Sequence, residues 1–461
     1  MKHLVVASTS YQLLCLAAAA DHGVFDGGER VLVLADGSQL PELTTPLPEV
    51  AGYDQLVARF DRVVDLAGLI APRRPAQFSP RGEELTMWEA LLRSHWGLGE
   101  EPVTLWLDAI QVNPGLALAR VFFDADLNAH ADGLMAYGPT RSRLPLAVRQ
   151  RVGTLLHVDL VPGLRPLMLH EASPALTALP VSRLRAVIDE VGRSVGAEDA
   201  ARVQAFVGAA GERSGEEPRT ALILGQYLTK LELLTTEEED ELHRDMVTAA
   251  REAGATHCVF KPHPAAGPAL AEALTAHADA LDLPLLVLNS PVQAELLFAA
   301  LRPHLVVSAF STGLATADTV FGLDARAVGT ARLLDRLQPY QNSNRVPLTL
   351  VDALYAGDLP APAAAPDDLP PRRRLQLLLH AVAYCMQSQN LDDLRHDAVS
   401  YLTDARGNPE MRFFKKRRIL ALGLPGVRPP GRLDGLPLPV RRVVRRGVRV
   451  WRRSTAGRAP F

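Results

Sequence analysis

Short β-rich apolar runs, each closed by a polar turn and followed by a helical stretch, recur along this chain in two series. That alternation is the tightest constraint on the fold, because strand–turn–helix–strand repeats build parallel sheets with helices on both faces. In the first series, His3 to Ala7, Arg30 to Ala35, Phe60 to Leu66, Pro102 to Leu107 and Leu127 to Ala131 read as strands. Ser8-Thr9-Ser10 breaks the first of them and caps a helix expected from Tyr11 through Ala20. Residues Ser173 to Gly215 read as helical, and the polar run Gly211 to Pro218 as a linker. The pattern then restarts, with strands at Thr220 to Leu224, His257 to Phe260, Leu285 to Leu288 and His304 to Ser308. A charged helix is expected over Glu237 to Gly254, and another over Arg374 to Gln389. The expected organisation is a unit over residues 1–214, a second over 215–410, and a basic tail over 411–461.

Charge separates that tail from the rest. Residues 411–461 hold 15 Lys and Arg and one acid, Asp434, whereas the rest of the chain holds 34 Lys and Arg against 51 Asp and Glu. A basic tail on an acidic body points to contact with a membrane surface or nucleic acid. The three cysteines, Cys15, Cys258 and Cys385, are too few and too scattered for a disulfide framework, so a reducing compartment is expected. Met1 to Ala7 is too short an apolar run for a signal peptide and reads as a strand. No run of about 18 apolar residues suggests a membrane span.

In tandem α/β units the useful loops lie at the carboxyl ends of the strands, facing a cleft. Four such positions carry chemistry. Lys261-Pro262-His263-Pro264 follows a strand, and two prolines hold His263 where an imidazole can donate to a phosphate. Ser308 and Ser311-Thr312 follow the next apolar run, at a helix start suited to an anion, although a plain capping role explains Ser311 or Thr312 equally well. Asp132-Gly133, with Tyr137 beyond it, follows a strand of the first unit; it is a tight turn whose carboxylate can take a proton from a hydroxyl. Gly225-Gln226 ends the first strand of the second unit, where a glycine permits close approach of a ligand to the backbone. No dinucleotide fingerprint and no metal-ligand spacing accompanies them.

In this order, Asp132-Gly133, His263-Pro264 and Ser308/Ser311-Thr312 resemble the motifs of the bacterial polysialyltransferase family. Ser8-Thr9-Ser10-Tyr11-Gln12-Leu13-Leu14 is similar to the strand–loop–helix start of related sialyltransferases. One departure is Ala131, where the family pattern has an acidic residue. The resemblance implies a GT-B fold, two Rossmann-like α/β domains facing a cleft, and inverting transfer of sialic acid from CMP-sialic acid with no metal and no other cofactor. It implies Asp132 as general base and His263 as the group that stabilises or protonates the departing phosphate. Gly225, Gln226, Lys261, Pro264, Ser308, Ser311 and Thr312 would meet the donor. Ser10, Tyr11, Gln12, Gly133 and Tyr137 would meet a glycan or glycolipid acceptor.

Two other readings share the layout. A CDP-polyol transferase would also use a His-Pro turn and a serine-containing phosphate site, and Ala131 suits an inactive membrane-bound binding protein. Val440 to Arg453 places Val440, Val443, Val444, Val448 and Trp451 on one helical face among arginines, which fits an anionic leaflet better than RNA. The expected location is the cytoplasm, with the tail against the inner face of the cell membrane and no nucleic-acid partner.

Overall fold

A computed structural model describes residues 1–36, 45–214, 217–226, 228–230, 232–263, 268–357 and 371–427. Among these, β1 (Lys2–Ala7), β2 (Glu29–Leu34), β3 (Arg62–Asp65), β4 (Val103–Leu107), β5 (Asp126–Ala131), β6 (Val152–Val158) and β7 (Ala175–Leu179) form one sheet in the order β3-β2-β1-β4-β5-β6-β7. A second sheet, ordered β10-β9-β8-β11-β12, holds β8 (Thr220–Leu224), β9 (His257–Lys261), β10 (Leu285–Val287), β11 (Leu305–Ser308) and β12 (Asp324–Ala327). Every pairing in both sheets is parallel. The chain is therefore an α/β protein of GT-B type, with two Rossmann-like sheets meeting at a cleft.

The sequence dictates this through burial on two faces. β1 is buried at all six positions, as a central parallel strand covered by helices must be. Val5 and Ala7 enter one apolar cluster and Leu4 and Val6 another, because successive residues point to opposite faces. The cluster holding Val5 runs through the Ser10–Asp21 and Val181–Val195 helices and continues into the strands of the second sheet. One continuous core thus joins the two units.

The packing of Val181–Val195 on the Ala294–Leu301 helix is unusually close. A Cβ on Gly192 would lie 2.9 Å from the Leu296 carbonyl oxygen, and one on Gly196 2.7 Å from Ala300 Cβ. The next helix, Ala197–Ser214, packs on β9 and on Ala294–Leu301, and Phe206 meets the His257 ring edge-on at 6.1 Å. The expected first unit over 1–214 therefore lends its last helix to the second sheet.

Three strands differ from the sequence expectation. β7 lies inside the stretch read as helical, and β6 and β12 were not anticipated. β7 and β12 are edge strands, half-exposed, so their apolar signal is weak. The tail also begins later than expected. Residues 411–427 are docked on the body: Phe413 and Ile419 are buried, Arg412 Nε donates to Asp352 Oδ1 at 2.9 Å, and Tyr340 Oη donates to the Phe413 carbonyl at 3.1 Å. The Pro371–Gln387 helix reaches back to the first unit, where Gln376 Oε1 accepts from the Arg165 N–H at 2.7 Å and Gln387 Nε2 donates to the Arg141 carbonyl at 3.0 Å. The amphipathic stretch Val440–Arg453 lies outside the described residues.

Candidate active site

The switch points of the two sheets fall between β1 and β4 and between β8 and β11, and the loops there come together. In the first unit Thr9 caps the Ser10–Asp21 helix by accepting the Gln12 N–H at 3.2 Å. The Gln12 amide is consumed locally. Its Oε1 accepts from the Ser8 N–H at 2.7 Å, and its Nε2 donates to Asp108 Oδ2 at 3.3 Å, tying the loop after β1 to the end of β4. Tyr11 instead turns to the second unit, its hydroxyl 3.0 Å from Thr316 Oγ1.

In the second unit two polar groups lock the loops. Phe310 N–H donates to Gln226 Oε1 at 2.7 Å while Gln226 Nε2 donates back to the Phe310 carbonyl. Buried Ser308 donates its hydroxyl to the Leu224 carbonyl at 3.2 Å. All three bonds fasten the end of β8 to the end of β11. Gly225 sits between them for a steric reason. A Cβ there would lie 2.9 Å from Phe260 Cζ, 3.1 Å from Pro262 Cα and 3.2 Å from the His263 nitrogen. The glycine lets β8 run against the turn that carries His263.

Ser311 caps the short Thr312–Ala315 helix, accepting the Gly313 N–H at 3.0 Å. Thr312 meets the first unit directly. A Cβ on Gly133 would lie 3.0 Å from Thr312 Oγ1. Gly133 has extended backbone, φ −137°, so the absent side chain serves this contact rather than a turn angle. The Asp132-Gly133 turn and the Ser311-Thr312 turn, far apart in the sequence, are thus pressed together.

Beside them lies a cavity of about 380 Å³. Ser10 and Tyr11 line it from the first unit; Gly225, Lys261, His263 and Ser311 line it from the second. Gln293 and Glu295, in the loop and helix start after β10, complete that second wall. Burial is the dominant electrostatic influence. It raises the Asp132 carboxyl above its ordinary 3.8, the neighbouring Asp108 charge adding to the rise and His130 opposing it. Burial likewise raises Glu295, with Lys261 opposing and Asp132 reinforcing. Lys261 is lowered by burial, and its Nζ donates to the Ser290 carbonyl at 2.9 Å. His263 is lowered below 6.5 by burial, against the pull of the Glu239 carboxylate. The lining places the Glu295 carboxyl, the His263 imidazole, the Lys261 amine and the capped helix start at Ser311 around one space, with Asp132 close enough to act on Glu295.

The structure thus brings Ser10, Tyr11, Gly225, Lys261, His263 and Ser311 to one cavity, and Gly133 to Thr312. Asp132 is half-buried next to Tyr11 and Glu295, whose ionisation its charge opposes. Gln12, Gln226 and Ser308 have their side-chain polar groups engaged inside the protein. Tyr137 is fully buried, its hydroxyl accepting the Val161 N–H at 3.0 Å. Pro264 lies outside the described residues. Gln293 and Glu295 were absent from the sequence reading, although they follow the strand expected at Leu285 to Leu288 and the strand-end rule reaches them.

A family model described as Alpha-2,8-polysialyltransferase (POLYST) matches residues 3–328. The chain belongs to the alpha-2,8-polysialyltransferase family. As a polysialyltransferase-family protein it is a sialyltransferase-type glycosyltransferase, a class that moves a sugar from a nucleotide-sugar donor to a glycan acceptor and releases the nucleotide. No curated protein matches the chain. Solved structures similar to this polysialyltransferase-family chain include a 2,6-sialyltransferase from Photobacterium sp. JT-ISH-224 with CMP and lactose, at 12% identity over 76% of each chain and a TM-score of 0.39. A sialyltransferase from Photobacterium damselae is similar at 11% identity over 77% of this chain and 96% of that one, with a TM-score of 0.40. A UDP-GlcNAc 2-epimerase from Methanocaldococcus jannaschii is similar at 12% identity, covering 71% and 83%, with a TM-score of 0.41.

Proposed function

We propose that this enzyme transfers sialic acid from CMP-sialic acid to a hydroxyl of a sialylated glycan or glycolipid acceptor, with inversion at the anomeric carbon and without a metal. The observation that carries the reading is the contact of the Asp132-Gly133 turn with the Ser311-Thr312 turn beside the cavity lined by His263. Transfer breaks the bond from the anomeric carbon to the phosphate oxygen and forms one to the acceptor oxygen. Asp132 takes the acceptor proton, and the burial that raises its basicity serves that step. CMP leaves as a phosphate, so the enzyme must neutralise developing negative charge rather than activate a poor leaving group. The Ser311 turn and His263 face that charge, and Lys261 adds a positive one. A bound phosphate restores the proton that burial withdraws from His263, because an opposite charge favours the imidazolium.

The acceptor would enter past Ser10 and Tyr11. Residues 428–461 would hold the enzyme to the anionic inner face of the cell membrane, where lipid-linked acceptors are within reach. No helix among the described residues is long and apolar enough to cross a membrane. The test is a donor screen in EDTA, with mass detection of released nucleotide. CMP release from CMP-sialic acid, and none from CDP-glycerol, is expected. Release from CDP-glycerol alone, or activity that chelation removes and one divalent ion restores, would overturn the donor or the metal-free chemistry respectively.

A further inference from the structure

The loop after β10 brings to the cavity one side chain whose polar atoms are unaccounted for. Gln293 occupies the cap position of the Ala294–Leu301 helix, yet its side chain makes no capping bond. It lines the cavity together with Lys261 and Glu295. Among the described residues neither its Oε1 nor its Nε2 has a hydrogen-bond partner, and both atoms are closed to solvent. Buried polar groups are paired as a rule, and an unpaired amide is costly. The other long amides around the site are spoken for: Gln226 clasps Phe310, and Gln12 holds Ser8 and Asp108.

We infer that Gln293 recognises the base of the donor nucleotide, turning its amide from its dry resting position onto a base edge that offers a donor and an acceptor side by side. This rests on the CMP-sugar reading above. The chemistry of an amide selects the target. A phosphate or a carboxylate accepts only, and would leave Oε1 unpaired. The 4-amino group and N3 of cytosine supply one donor and one acceptor, matching Oε1 and Nε2. On that reading the phosphate meets Ser311 and His263, and residues 291–295 line the same cavity, where the nucleoside can reach them. Rotating a glutamine costs little beyond a change of staggered wells. In the free protein the amide gains nothing where it lies, and in the complex it gains two hydrogen bonds.

The test uses the full chain, with Gln293→Leu and the near-isosteric Gln293→Met. Two ligands are compared by calorimetry or competition: CMP, and ribose 5-phosphate, which has the same phosphate and ribose without a base. Two neutral hydrogen bonds predict a loss of CMP affinity of roughly tenfold to a hundredfold. Affinity for ribose 5-phosphate is expected to stay unchanged. The thermal midpoint of the free variants should equal or exceed that of the wild type, because an unpaired buried amide is removed. Wild-type CMP binding that both variants retain would overturn the inference while leaving the donor reading intact. Equal losses for both ligands would move the contact to the ribose phosphate and overturn base recognition. A lowered midpoint would overturn the premise that the amide is unpaired. Wild type that binds other nucleotides but not CMP would overturn the donor reading, and this inference with it.

Discussion

Gly225→Ala isolates how the nucleotide wall is built, because one methyl group meets two different elements there. Its Cβ would fall 2.9 Å from Phe260 Cζ, a ring that can tilt, but also 3.1 Å from Pro262 Cα and 3.2 Å from the His263 nitrogen. Those last two are backbone atoms, and proline stiffens the turn they belong to. The strain therefore relaxes by pushing the Lys261-Pro262-His263 turn away from β8, against the Gly225 N–H that bonds the Lys261 carbonyl at 2.9 Å. Overpacking of this kind costs about 1–3 kcal/mol. At about 2–4 °C per kcal/mol for a sizeable domain, the midpoint should fall by roughly 2–12 °C with the fold retained. Displacing His263 by a fraction of an ångström to about 1 Å should cost on the order of 10- to 100-fold in turnover. Thermal melts and CMP-release kinetics on the purified variant, with Gly163→Ala as control, measure both. Gly163 has φ +81° and nothing within 4 Å of a Cβ, and it does not line the cavity, so its variant carries backbone strain alone. Gly225→Ala that melts and turns over like wild type would refute the claim that this glycine seats the histidine turn.

Asp132→Asn should lower transfer by about 10²- to 10⁴-fold while leaving the fold intact. Burial raises the folded-state pKa above 3.8, so the ionised carboxylate costs stability at neutral pH and that cost vanishes as pH falls below 3.8. The Asn variant should therefore melt no lower than wild type at pH 7, and should lose the acid limb of the pH–rate profile; wild-type turnover would remove Asp132 as base. For His263 the sign is opposite. Its pKa is depressed below 6.5, so the free enzyme carries it neutral at pH 7, and CMP should bind more tightly as pH falls through that lowered value. Titration calorimetry of His263→Ala should show weaker CMP binding with that pH dependence gone. Truncation after Val427, which spares buried Ile419 and Leu424, should abolish salt-sensitive sedimentation with anionic liposomes and preserve transfer to soluble acceptors. Equal sedimentation of both proteins would dismiss the tail as the anchor.

The central strands were legible because parallel strands covered on both faces leave unbroken apolar runs, as in Leu4-Val5-Val6 and Leu305-Val306-Val307. β7 and β12 were not, since an edge strand is half-exposed and its residues pass for a helix or a loop. The same division runs through the site. Asking which polar residues follow strands finds Lys261, His263, Ser311 and Asp132. It does not reveal that Gln226 and Ser308 spend their side chains on backbone groups 84 residues away, or that Val161 claims the Tyr137 hydroxyl. Such long-range commitments have no local signature. Gln293 and Glu295 were within reach of the rule, but they stand five and seven residues beyond the strand expected to end at Leu288, past Asn289-Ser290-Pro291, and no glycine or His-Pro turn marks them.

The close seating of Gly192 and Gly196 on Leu296 and Ala300 gives those two positions leverage out of proportion to their chemistry. The Ala294–Leu301 helix begins at the cavity with Gln293 and Glu295, yet what it rests on is a helix following the first sheet. A single methyl at position 192 or 196 would act as a shim, lifting that helix and carrying both side chains with it, without altering any group that touches a sugar or a nucleotide. For engineering, graded shims at these positions offer a way to widen the cleft for bulkier donors. For natural drift, they mean that substrate range can change through residues outside every recognisable motif.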